Sequence, residues 1–321
     1  MSAEGWRRAS ARIARRVARC AQLAMLLEVS AYPKPGNVHR LRDFRETRYE
    51  HFLVSSCVAA DYFRAAAIRG LKASVGLLDF SEIGVGRLIE ACMREVIREQ
   101  RGGNTCLGTV TMLMPLSAAS ALTMLEGGDM YGDLRANLSL VLRSTTPRDA
   151  VAFYNAIKVA KPNIGRSKWL DAFDESSKRV ILERGITLYQ IFEYASKYDT
   201  VAREWVTDFE VTFKLGAPYM QKLLDEGYDI NAAIVHTFLK ILSEIPDTLI
   251  VKKAGLEKAL EVSRMAREVL EAGGLRTQEG RRLLADMDFK LREEDHLLNP
   301  GTTADITAAS IMLVLLRGMK F

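Results

Sequence analysis

From Leu107 to Leu125 the chain carries no charged side chain. A stretch of that length must leave water, either across a bilayer or at the centre of a protein. Its polar content decides between the two. Thr109, Thr111, Ser117, Ser120 and Thr123 are mixed with small alanines, Pro115 interrupts the run, and no basic and aromatic belt flanks it. A helix that is apolar on every side and rich in small residues is one packed closely by neighbours. The sequence therefore predicts a central core helix rather than a membrane span.

The rest of the chain supplies helices to surround it. Apolar residues recur at three- and four-residue spacing over Arg48–Ala67, Ser81–Glu99, Asn104–Leu125, Pro147–Ala160, Lys178–Lys197 and Thr200–Asp225. They do so again over Asn231–Ser243, Leu256–Glu271, Gln278–Glu294 and Thr303–Leu316. At the N-terminus, Trp6, Ile13, Val17, Leu23 and Leu27 fall near one stripe that runs into Glu28. This arginine-rich segment reads as a docked first helix rather than a transit peptide or a membrane-surface helix. Thr146 is placed to cap a helix whose first residue is Pro147. Gly70, Gly127–Gly128 and Gly273–Gly274 are placed as helix ends. "LSLVLRST", from Leu138, is the best strand candidate, and a helix fits it too. A cut near Lys161–Arg166 would divide the chain, yet no long linker stands there. The expected architecture is one all-α, multi-helix globular domain over residues 1–321.

Composition narrows function by exclusion. The 321 residues are 48% hydrophobic and 26% charged, with a net charge of +5. That mild excess would welcome a polyanionic small molecule. Nucleic acid is disfavoured, because basic and aromatic residues are not interleaved as in recognition modules and no zinc-finger spacing occurs. Cys20, Cys57, Cys92 and Cys106 stand far apart, the first three in helical and mostly apolar settings. A reducing, cytoplasmic compartment follows. The four histidines show no metal-ligand spacing, and no Gly-x-Ser-x-Gly occurs. Any catalysis then rests on carboxylates, amides and lysines, which suits metal-assisted handling of phosphates better than acyl transfer. An apolar helical surface leaves room for a homodimer.

Four polar stretches interrupt the helices. "EVSAYPKPGNVHR", Glu28 to Arg40, ends the first helix with a Pro-Gly type II turn signal. The N–H groups of Gly36 and Asn37 would be free there, with Lys34, His39 and Arg40 adding charge. "RGGNTCLG", from Arg101, opens the core helix, so either Asn104 or Thr105 caps it or the open N-terminus takes a phosphate. "LLNPGTTADITAAS", from Leu297, places Thr302 and Asp305 as a capping box; Asp305 could instead hold a divalent cation. "EIPDTLIVKKAG", from Glu244, offers Asp247 and the pair Lys252–Lys253, a solvated face or a phosphate contact.

In this order the four stretches resemble the triphosphoribosyl-dephospho-CoA synthase family, across residues 28 to 315. The matching motifs are "PKPG", "NT-x-x-G", the aspartate-containing helix junction and "PG-x-x-AD". The resemblance implies an all-α fold and transfer of the triphosphoribosyl group of ATP to the 2′-hydroxyl of dephospho-CoA, with release of adenine. It implies Mg²⁺, with phosphate contacts at Lys34, Gly36, Asn104, Thr105, Lys252 and Thr302. Lys34, as a loop residue, should have little packing to lose. Glu28, Asp43 and Asp247 are the implied catalytic carboxylates, and Asp247 and Asp305 the implied metal ligands.

Members that charge citrate or malonate lyases typically read Asn-Thr-His-Lys-Gly, where this chain has Cys106 and Leu107. The chain is in this respect similar to the divergent branch carried by archaea. Two other readings keep the nucleotide site: a related transferase acting on another cofactor precursor, such as a methanopterin intermediate, or a non-catalytic nucleotide-binding regulator.

Overall fold

A computed structural model of the chain describes residues 3–162, 169–293 and 296–319. Of the Lys161–Arg166 stretch only Lys161 and Pro162 fall within them, and Glu294 lies outside. Among the described residues there are 15 α-helices and no strand. The first six are α1 (Ala3–Ser30), α2 (Tyr49–Ser74), α3 (Val85–Glu99), α4 (Leu107–Glu126), α5 (Gly132–Arg143) and α6 (Pro147–Ala160). Four shorter ones follow: α7 (Glu175–Arg184), α8 (Leu188–Ala195), α9 (Thr200–Val206) and α10 (Ala217–Asp225). The last five are α11 (Ile230–Glu244), α12 (Thr248–Ala254), α13 (Leu256–Glu271), α14 (Gln278–Glu293) and α15 (Gly301–Leu316).

The uncharged stretch is α4, long and apolar enough to cross a membrane but 83% buried by the rest of the chain. It packs against α1, α2, α5 and α15. The buried apolar side chains form one continuous cluster from Ala14 to Leu316. Several hydroxyls in this core are satisfied within their own helices. Thr111, Ser120, Thr307 and Ser310 each donate to the carbonyl four residues back, at 2.6–2.9 Å. Pro115 removes one backbone donor and so frees the carbonyl of Thr111. The indole of the fully buried Trp205 donates to that carbonyl at 3.2 Å.

Several local expectations hold. The docked face of α1 includes Trp6, Ile13, Val17, Leu23 and Leu27. Thr146 caps α6 and accepts from Asp149 N. Gly127 takes the left-handed conformation after α4. Others are corrected. Gly70 does not end a helix; it lies inside α2, where a Cβ would stand 2.2 Å from the carbonyl oxygen of Ala118. Glycine lets α2 and α4 touch backbone to backbone. Leu138 belongs to α5, so the strand candidate is helical. The pattern over Lys178–Lys197 breaks at Gly185, with φ +66°. The pattern over Thr200–Asp225 breaks where Asp208 and Phe209 both take positive φ, and resumes as a π-helical turn at Thr212–Gly216. The buried carboxylate of Glu204 holds that break by accepting from Val211 N and Thr212 N. Cys57 is exposed rather than apolar-packed.

Candidate active site

All four polar stretches meet. The last turn of α1, the loop after it, the start of α4, helix α12 and the start of α15 surround a cavity of about 970 Å³. Helices α6, α8 and α9 close its other side.

The floor is a cluster of buried charges. Lys34 is 1% exposed and Glu28 8%, and the two form an ion pair. Lys34 Nζ also donates to the backbone carbonyl of Glu28 at 2.9 Å. Burial pulls the lysine below its usual range, against the pull of Glu28 and Asp305. Burial pushes Glu28 up, against Lys34. The idea of a loop lysine with little packing to lose is thus overturned: Lys34 is among the largest fully buried side chains.

Asp305 faces the same space from the first turns of α15. It does not complete a capping box with Thr302, because α15 begins at Gly301 and its carboxylate reaches across to α4. Thr109 Oγ1 donates to it at 2.6 Å. Burial first, then the nearby charges of Glu28, Asp247 and Asp199, push its carboxyl up to about 8 despite the Thr109 bond. Gly108 explains the glycine of the Asn-Thr-x-x-Gly motif. A Cβ there would lie 2.0 Å from Asp305 Oδ2.

Around this floor stand two helix starts. Asn104 Oδ1 accepts from Leu107 N at 3.0 Å, while Thr105 is turned to Ser55, 2.7 Å between hydroxyls. Asn104 thus serves as a local cap, and α4 begins three residues later than its sequence pattern. The N–H groups of Gly108 and Thr109 sit in its first turn, where no intrahelical acceptor exists. On α15, Thr302 lines the cavity, its hydroxyl 3.4 Å from that of Thr248. Lys252 and Lys253 enter from α12. Lys252 pairs with Asp199 at 2.5 Å, and Lys253 donates to the carbonyl of His296 at 3.1 Å.

Three expected site residues do something else. Gly36 has φ +71° in the predicted turn, closed by Asn37 N to Lys34 O at 3.3 Å. Neither N–H is free, because Gly36 N donates to Asp288 at 2.9 Å. Asp43 is exposed, outside the cavity, and accepts from Tyr49 N at 2.8 Å at the start of α2. Asp247, 2% exposed, spends its carboxylate on two helices at once. It accepts from Leu249 N and Ile250 N of α12, and from both the N–H and the hydroxyl of Thr303 on α15.

Sequence reasoning missed several residues. Arg292 and Asp288 on α14 pair at 2.8 Å and grip the Pro-Gly turn, Asp288 at Gly36 N and Arg292 at the carbonyl of Asn37. Asn299 donates to Gly36 O at 3.0 Å and to Asn37 Oδ1 at 2.8 Å, which ties one Pro-Gly loop to the other. Its only sequence signal is the Asn-Pro-Gly that precedes Thr302. Asp199 shows in sequence as a cap before Thr200, and its pairing with Lys252 does not show at all.

Fold and cavity together define a helical protein built to take up small molecules over a floor of buried acid–base groups. The family described as ATP:dephospho-CoA triphosphoribosyl transferase matches residues 14–320. A protein of Stutzerimonas stutzeri (strain A1501), described as a probable 2-(5''-triphosphoribosyl)-3'-dephosphocoenzyme-A synthase, is 26% identical over 94% of this chain and 91% of its own. One of Malonomonas rubra with the same description is 33% identical over a shorter alignment, 32% of each chain. The fold is similar to a crystal structure from Archaeoglobus fulgidus, described as a candidate triphosphoribosyl-dephospho-CoA synthase. The TM-score is 0.62 and the identity 26%, over 85% of this chain and 100% of that one. The chain belongs to the ATP:dephospho-CoA triphosphoribosyl transferase family.

Proposed function

We propose that this protein transfers the triphosphoribosyl group of ATP to the 2′-hydroxyl of dephospho-CoA and releases adenine. The observation that carries the proposal is convergence: four motifs scattered from Glu28 to Asp305 line or brace one cavity, and the family match spans all of them. In this reaction the acceptor oxygen bonds to ribose C1′ as the bond from C1′ to adenine breaks. The centre is positively charged while this happens, so a nearby carboxylate stabilises it.

Asp305 is the better proton acceptor, since a carboxyl titrating near 8 is matched to a proton transfer near neutrality. It takes the hydroxyl proton and returns it to the departing base, ending as it began. Thr109 holds it in place. Glu28, held in place by its ion pair with Lys34, presents its carboxylate to the ribose. Lys252, Lys253 and the N–H groups of Gly108 and Thr109 suit the triphosphate.

Among the described residues no three His, Cys, Asp or Glu side chains gather into a metal-binding group. The donor set therefore fits Mg²⁺ carried in on the triphosphate rather than held in a dedicated cage. When bound, the ion neutralises phosphate charge. Asp247, fully used as a cap, is left out of both the metal and the acid–base roles.

Adenine release from ATP and Mg²⁺, followed by chromatography, tests the proposal. Release that requires dephospho-CoA is the expected result. Release only with another acceptor would move the acceptor assignment, and ATP binding without release under any condition would overturn the activity.

A further inference from the structure

A lysine carries its charge on a flexible four-carbon stem, and fixing that stem costs conformational entropy when the lysine takes a ligand. Lys252 is fixed already. Its Nζ donates to Asp199 Oδ2 at 2.5 Å, and both residues line the cavity. Asp199 is itself a firm post. It is the N-cap of α9, with Oδ1 accepting from Ala202 N at 2.9 Å and its backbone carbonyl from Arg203 N at 2.9 Å. The post is tied a second time to the lysine's own helix. Thr200 N donates to Thr248 Oγ1 at 3.0 Å, and Thr248 opens α12 one turn before Lys252.

The two carboxylate oxygens of Asp199 thus have separate tasks, one for the helix and one for the lysine. An ammonium has three N–H donors, so the bond to Asp199 leaves two for a ligand. Immobilising one long side chain on binding lowers affinity by a factor of roughly two to twelve. With Lys252 held by Asp199, that loss falls on the empty protein and not on the binding step. The carboxylate also repels a phosphate chain, and the ammonium beside it offsets that charge.

We propose that Asp199 is a positioning residue: it holds Lys252 Nζ at the cavity wall before ligand arrives, with two donors left for a phosphate chain. It acts through Lys252. The proposal rests on the proposed function only for the phosphate chain as the ligand of that lysine.

The test is a double-mutant cycle in the full chain, comprising the parent, Asp199→Asn, Lys252→Met and the double variant. Asparagine caps a helix as well as aspartate does, so α9 keeps its start while Lys252 loses its tether. Asp199→Ser, also a capping substitution, repeats the cycle if the asparagine protein melts early. Binding of inorganic tripolyphosphate is measured by calorimetry, with thermal melting of every variant as the control for folding. Lys252→Met should weaken binding. Repulsion between Asp199 and phosphate acts in both backgrounds and largely cancels in the cycle. What remains is the positioning effect: with Lys252 present, Asp199→Asn should cost roughly two-fold to twelve-fold more affinity than it does in the Lys252→Met background. Equal effects in the two backgrounds would leave Asp199 a helix cap alone and overturn the proposal. A gain in affinity that is larger with Lys252 present would make Asp199 a competitor for the lysine, and would overturn it too. So would a parent that does not bind tripolyphosphate, or a Lys252→Met protein that binds it as the parent does. Because the cycle measures binding without turnover, the transfer reaction and the positioning role can fail separately.

Discussion

Replacing Lys34 by Met should damage the fold as well as the site, and the structure gives the size of the effect. Lys34 is buried and paired with an equally buried Glu28. Methionine fills much of the same space, so packing is largely conserved. What is lost is the charge opposite Glu28. Breaking a buried pair by removing one partner costs about 3–5 kcal/mol, most of it the stranded charge. For a chain of this size that is a fall in melting temperature of roughly 4–7 °C. The sign with pH is fixed by Glu28, whose pKa already lies above its usual value and rises further without the lysine. A raised folded-state carboxyl adds stability at low pH and loses it as pH rises through that value. Lys34→Met should therefore stand closest to the parent near pH 5 and furthest from it near pH 8. The double variant Glu28→Gln/Lys34→Met should recover most of the loss, giving a coupling of a few kcal/mol in a double-mutant cycle. Calorimetric melting of the four proteins at both pH values is the assay. A Lys34→Met protein melting within about 2 °C of the parent at pH 8, or a double variant no better than the single, would refute the reasoning.

Gly108→Ala should leave the melting temperature nearly intact while adenine release collapses, since the new Cβ must displace Asp305. Normal turnover by the folded variant would remove Asp305 from the chemistry. Asp247→Ala should cost at least about 2 kcal/mol in denaturant unfolding, the upper end for one helix cap, because it uncaps two helices. With chelator present, the ligand-free protein should lose stability between pH 6.5 and 8 relative to Asp305→Asn, by at most about 1.4 kcal/mol per pH unit. The folded state holds a proton on Asp305 up to about 8, where the unfolded chain has released it. Below pH 6.5 buried His39 opposes this trend. Burial and Arg292 hold it down to about 4, so stability falls as pH drops through that window, and Asp305→Asn should expose the fall. Parallel curves for parent and variant would contradict the assignment.

Much of the fold was legible because its signals are local. An uncharged stretch has one destination, and Thr146–Pro147 or the Pro35–Gly36 turn follow from backbone geometry alone. What was illegible depends on partners distant in sequence. Gly70 looks like a helix stop until Ala118 is brought against it. The break at Asp208–Phe209 carries no glycine or proline, and it exists because Glu204, Arg135 and Arg143 hold it from outside. The site divides the same way. The motifs identified which loops matter, and Glu28, Lys34, Asn104, Thr105, Lys252, Thr302 and Asp305 do line the cavity. Asp43, Gly36 and Asp247 do not, because a carboxylate or glycine beside a helix start looks the same whether it caps or faces a ligand.

That ambiguity has a physical root, and Asp247 shows it. One of its oxygens holds the start of α12 and the other holds Thr303 on α15. Lys252 lies on the first helix and Asp305 on the second, each within two turns of the shared carboxylate. The distance between Lys252 and Asp305, which both line the cavity, is thus set by a residue that does not line it. Asn299 and the Asp288–Arg292 pair do the same for the turn that delivers Lys34. Helix ends need polar partners and a ligand's phosphates need helix ends, so residue types that brace this site are those that would also bind in it. Sequence motifs here mark the whole braced unit, and only the fold separates the brace from the face it holds.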